Sequence, residues 1–70
     1  MRYMVVIEQG EDSFGAYVPD LPGCIAVGET KEEALQLIQE AIEFHLEDLQ
    51  ADGGHLPNAS SSSEYVEITA

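Results

Sequence analysis

The run ETKEEALQLIQEAIEFHLEDLQADGG, residues 29–54, is the feature that most limits what this chain can become. It predicts one long amphipathic helix. Thr30 is a good N-cap, and Glu33 three residues later completes a capping-box pattern. Glu32 and Glu33 sit in the first turn, where the helix dipole favours acids. Ala34, Leu35, Ile38, Ala41, Ile42, Leu46 and Leu49 recur at helical spacing and form one broad apolar stripe. Gln36, Gln39, Glu40, Glu43, Glu47 and Gln50 fall on the opposite side. Gly53 and Gly54 stop the helix, and Pro57 blocks a restart. A single helix covers one face of a sheet and leaves the other open.

The remaining segments read as short strands. RYMVVIEQ, residues 2–9, is β-branched and aromatic, with Tyr3, Val5 and Ile7 on one face and Met4 and Val6 on the other. GEDS is a turn cluster, and FGAYV (14–18) follows closely enough for a hairpin. CIAVG (24–28) alternates Ile25 and Val27 against Cys24 and Ala26. NASSSS is a short polar linker. EYVEIT (64–69) then sets Val66 and Ile68 against Tyr65, Glu67 and Thr69 and predicts a last strand. The expected architecture is α+β: one domain over residues 1–70, order β-β-β-α-β, a small antiparallel sheet with the helix on one face. Tyr3, Val5, Tyr17 and Tyr65, or their alternates, are expected on the uncovered face. Apolar surface there points to a subunit interface.

VPDLPGC (18–24) joins the second and third strands. Pro19 has no N–H and ends strand pairing. Pro22-Gly23 fits the central pair of a type II turn. Asp20 is expected to hold nearby backbone amides of the loop. This chemistry describes a rigid connection and gives no catalytic role.

Length and charge narrow the function. At 70 residues, the chain buries only about 60 % of its unfolded surface. Disulfides, a metal or oligomerisation usually compensate. The single cysteine, Cys24, excludes an internal disulfide. A homo-oligomer, dimer or tetramer, is therefore expected. Two basic residues, Arg2 and Lys31, face fourteen acids, for a net charge of −12. Direct nucleic-acid binding is not expected, since Lys and Arg supply most of that affinity. An anionic membrane is disfavoured for the same reason. The complement of such a charge is a basic protein, unless the acidity serves only solubility. No apolar run approaches the ~20 residues that span a bilayer, and the N-terminal run is short for a signal-peptide core. One unpaired cysteine fits the cytoplasm.

The combination AYVPDLPGCIAVGETKEEALQLIQEAIEFHLEDLQADG resembles the HicB-type antitoxin domain. The shared features are the Pro-Asp-Leu-Pro-Gly-Cys loop, the Gly-x-Thr helix entry, the Ala-Leu helix start and the long acidic helix. The resemblance implies a partial ribonuclease-H-like fold. It also implies a partner: a small basic RNA-cleaving toxin of the HicA type, neutralised by protein–protein contact. Many members carry a C-terminal DNA-binding segment. This sequence runs only to Ala70, so a repressor role is not expected of it. An oligomeric binding module of the same fold without a toxin accounts for the same residues.

Catalysis is not expected. Ribonuclease-H-like enzymes cluster carboxylates around metal ions, whereas Glu8, Glu11, Asp12 and Asp20 lie at a strand end or in turns. His45, His55 and Cys24 lack zinc-ligand spacing. His45 lies in the apolar stripe and reads as packed, and Cys24 reads as a small buried residue. No cofactor is implied. Glu40, Glu43 and Glu47 form an acidic ridge with Phe44 and Leu37 along its side. The ridge is either a solvated face or a docking surface for a basic partner. In the second case Glu40, Glu43, Phe44 and Glu47 are the contact residues, with Phe44 an apolar anchor.

Overall fold

A computed structural model describes residues 1–69. Three strands, β1 (Val6–Gln9), β2 (Phe14–Tyr17) and β3 (Ile25–Gly28), precede one helix, α1 (Lys31–Ala51). The strands form an antiparallel sheet in the order β1-β2-β3. The GEDS turn closes the first hairpin, with the Gly10 N–H donating to the Ser13 carbonyl at 2.8 Å.

Register assigns the faces. Ile7 pairs with Ala16, and Ala16 with Ala26, so these three side chains share one face. That face meets α1, and Ala16 is buried in the core. Val6 pairs with Tyr17 and Tyr17 with Ile25, which places them together on the opposite face. Glu8, Gly15 and Val27 form the next row there. Ile25 and Val27 are 69 % and 63 % exposed. The open apolar face is present and holds Tyr17 as expected, but its other members differ. Tyr3 and Val5 pack towards the core, on the helix side. Ile25 and Val27 join Tyr17 on the open face.

The core is small: Ala16, Val18, Leu21, Cys24, Ala34 and Ile38. Half of it comes from VPDLPGC. Two successive turns fold that loop inward: the Leu21 N–H donates to Val18 C=O and the Cys24 N–H to Leu21 C=O, both at 3.0 Å. The Val18 N–H then closes the loop on Cys24 C=O at 3.2 Å. Gly23, at φ 83°, takes the left-handed position after Pro22, as a type II turn requires. Leu21 and Cys24 are thereby driven under the helix. Burying a leucine this fully contributes about 1.5–3 kcal/mol, a large share in so thin a core.

Helix α1 starts where expected. Thr30 Oγ1 accepts from the Glu33 N–H at 3.0 Å, and Glu33 Oε1 accepts from the Glu29 N–H at 2.8 Å. The return bond reaches one residue beyond the cap itself. At the other end the Gly53 N–H donates to Gln50 C=O and the Gly54 N–H to Leu49 C=O. This pairing is a Schellman motif, with Gly53 at φ 74°. The helix packs mainly on β3 and β2, and only its flank reaches β1. It approaches closely at Gly28, where a Cβ would lie 2.7 Å from the Ala34 nitrogen.

The fourth strand is absent among the described residues. Residues 62–69 are all exposed and take no strand pairing. Alternation alone does not make a strand; a ladder needs a partner, and this segment has none within its own chain. Its root is instead held elsewhere. Asp20 does not bond the amides of its own loop; its carboxylate accepts from Ser61. A compact chain of this length has a radius of gyration of about 11 Å; here it is 13.9 Å, with extents of 49 × 26 × 17 Å.

Candidate partner-binding surface

The outer face of α1 carries the expected contact residues. Glu40, Glu43, Phe44 and Glu47 are all exposed. Helical spacing puts Glu40 and Glu47 on the crest, with Glu43 and Phe44 on opposite flanks. Glu43 accepts a hydrogen bond from Gln39 Nε2 at 3.3 Å. Phe44 is 74 % exposed, so it contributes nothing to the core and stands free beside the acids. Leu37, one heptad earlier, is also exposed on Phe44's side of the crest. Lys31, in the first turn, is the helix's only lysine or arginine. An uncompensated acidic ridge of this kind repels its own members slightly and projects a negative field into solvent.

A second surface was not anticipated. Between residues 1–5 and the flank of α1 lies an open groove of about 760 Å³. Tyr3 and Val5 line one wall, and Leu35, Ile38, Ile42 and Leu46 line the other. Glu43 stands among its lining residues, so ridge and groove adjoin. The signal was in the sequence. The helical stripe is wider than a three-stranded sheet of small side chains can cover, and Tyr3 and Val5 alternate in phase with Ile7.

The remaining candidates are structural in their surroundings. Burial pushes the Cys24 thiol up, which lowers its thiolate fraction and its reactivity. His45 is half-buried on the inner side of α1, and His55 is exposed beyond the helix. Among the described residues no three His, Cys, Asp or Glu side chains converge as metal ligands. No helix among them is long and apolar enough to cross a membrane. Pro19 and Pro22 are exposed on the loop's rim. Asp20 is the exception in that loop. Hydrogen bonds from Ser61, and more weakly from Ser60, hold its carboxyl below the ordinary value of 3.8.

Residues 3–69 match the HicB-like antitoxin of bacterial toxin–antitoxin systems. The chain belongs to this family. Among its relatives, an uncharacterized 14.9 kDa protein of Haemophilus phage HP1 is 38 % identical over 94 % of this chain and 50 % of its own length. A UPF0150 protein of Helicobacter pylori is 53 % identical over 74 % of this chain and 72 % of its own. Antitoxin HicB 2 of Photorhabdus laumondii is 35 % identical over 100 % of this chain and 51 % of its own. The chain thus spans about half the length of two of these three relatives. No solved structure matches it.

Proposed function

We propose that this HicB-like chain binds a small basic RNA-cleaving toxin of the HicA type and silences it by protein–protein contact, in the cytoplasm and as a homo-oligomer. The supporting observation is the outer face of α1: three exposed acids, Glu40, Glu43 and Glu47, around the exposed ring of Phe44. A protein that grips RNA must present Lys and Arg. An acidic ridge can occupy that surface in place of phosphate. The acids steer the encounter, and the aromatic ring supplies the desolvated anchor that rim charges cannot. The chain carries out no chemistry in this reading. The open face of Tyr17, Ile25 and Val27, together with the groove, supports self-association.

The test is co-purification with a small basic protein encoded beside this chain, followed by an RNA-cleavage assay with and without it. Stoichiometric loss of cleavage is expected. If no such neighbour exists, or cleavage persists at saturating antitoxin, the toxin reading fails. The chain is then an oligomeric binding module of the same fold.

A further inference from the structure

We propose that residues 64–69 form an arm that adds to the free edge of β1 in a second copy of the chain, with Val66 and Ile68 filling the groove beneath α1. This specifies the self-association proposed above and is independent of the toxin. The arm carries two branched apolar residues at strand spacing, both 77 % exposed, and Tyr65 is fully exposed. Six residues of alternating pattern without a partner are an unfinished strand. The groove is the matching vacancy. It lies beside β1, under the flank of α1, and is lined by branched and aromatic side chains. Among the described residues, no backbone hydrogen bond other than the ladder to β2 and the turn at Gly10 involves residues 1–10. From Val5 onward, that edge is available for a new ladder.

Three observations define the donor and the acceptor edge. First, the root of the arm is pinned. The Ser61 N–H and Oγ–H both donate to Asp20, at 3.0 and 2.7 Å, and hold the chain at the loop end of the sheet. The arm's own root segment, around Pro57 to Ser61, passes beside Tyr3 and Met4. Only Ser62 and Ser63 separate the clamp from the arm, a reach of roughly 7 Å. Second, residues 62–69 are exposed throughout, and none of them packs on the core or lines the groove, so the arm leaves its own groove open. Third, the other sheet edge offers no equivalent space. At β3 the helix is in close contact through Gly28 and Ala34, leaving no room beneath it. A two-fold exchange fills both grooves and pairs both free edges at once.

Sedimentation of the full chain at micromolar concentration should give about twice the 7.6 kDa monomer mass. The double variant Val66→Lys/Ile68→Lys should dissociate to a folded monomer, with the dimer weakened on the order of 100-fold or more. Its helical circular dichroism should be unchanged, because the arm makes no contact with its own core. The two lysines reduce repulsion between copies, so charge cannot explain the loss. In a mixed sample of 13C-labelled and unlabelled chains, Ile68 methyls should show intermolecular contacts to Ile42 and Leu46. A monomeric wild type overturns both the exchange and self-association. A dimer that survives Val66→Lys/Ile68→Lys but is lost on Ile25→Lys/Val27→Lys assigns the interface to the open face and overturns the exchange alone. Purely intramolecular contacts from Ile68 show that the arm closes its own groove, and they also overturn it.

Discussion

Asp20 and Ser61, separated by 41 positions, are joined at two points: each carboxylate oxygen accepts one hydrogen bond, from the Ser61 amide and from its hydroxyl. The contact ties a polar linker to the tight loop between β2 and β3. Both bonds favour the ionised carboxylate and lower its pKa. A group depressed in the folded state contributes stability above its unfolded value and loses it as pH falls through the folded value. The clamp is therefore complete above about pH 4 and opens on further acidification. The Ser61 amide shift should titrate with a midpoint below 3.8. Asp20→Asn should abolish that titration and raise the amplitude of 15N relaxation over residues 61–69. A Ser61 shift that is flat with pH would contradict the clamp.

Gly23→Val should destabilise the fold through backbone conformation. No atom lies within 4 Å of the added Cβ, so space is not at issue. A β-branched residue at φ 83° costs about 1–2 kcal/mol. Urea denaturation should show that loss, and Gly23→Asn should recover much of it. Equal stability of the valine variant and wild type would mean that the loop relaxes to another turn.

Gly28→Ala should destabilise for the opposite reason. Its φ is not in the left-handed region, but the new methyl would stand 2.7 Å from the Ala34 nitrogen and 3.1 Å from its Cα. Helix backbone cannot step aside as a flexible side chain can. Overpacking of this kind costs about 1–3 kcal/mol. Thermal unfolding should record it, and the amide shifts around Ala34 should move. An unchanged melting temperature would show that α1 shifts freely on the sheet.

Reversing Glu40, Glu43 and Glu47 to Lys should slow association with a basic toxin more than it speeds release. Steering acts on the encounter, whereas buried anchors set the off-rate. Raising salt should slow wild-type association as the field's reach contracts to ~8 Å near physiological ionic strength. Phe44→Ala should do the reverse: little change in association, and release faster by tenfold or more. Stopped-flow rates across a salt series separate the two. An association rate indifferent to the triple reversal makes the ridge a solvated face only.

Self-association should respond to salt with the opposite sign. Two copies at −12 each repel, so screening tightens their dimer. Sedimentation at low and high salt checks this, and weakening at high salt would place ion pairs at the interface.

Much of this fold could be read from local chemistry. Thr30, Glu33 and the glycines after Ala51 marked the helix because caps are short-range devices. Pro22-Gly23 marked its turn for the same reason. The departures are long-range. Asp20 reaches a serine far along the chain, which no local pattern encodes. EYVEIT has the period of a strand, but pairing is a property of two segments, and its own chain supplies no second one. Tyr3 and Val5 were expected on the open face because alternation gives the phase of a strand without saying which phase is inside. The groove has no short-range signature because it exists only where helix flank and strand edge fail to meet. The ridge on α1 was legible residue by residue; its partner is not encoded locally at all.

Val18, Leu21 and Cys24 make the loop between β2 and β3 half of the hydrophobic interior. Surface connections usually accommodate insertions and cleavage sites. This one will not, because a single added residue would rotate those three side chains out of register with Ala34 and Ile38. Protein engineers seeking a permissive point for a tag or a fused module should pass over this conspicuous bend and choose the stretch Asn58 to Ala59. That stretch is exposed throughout and can lengthen without disturbing the packing.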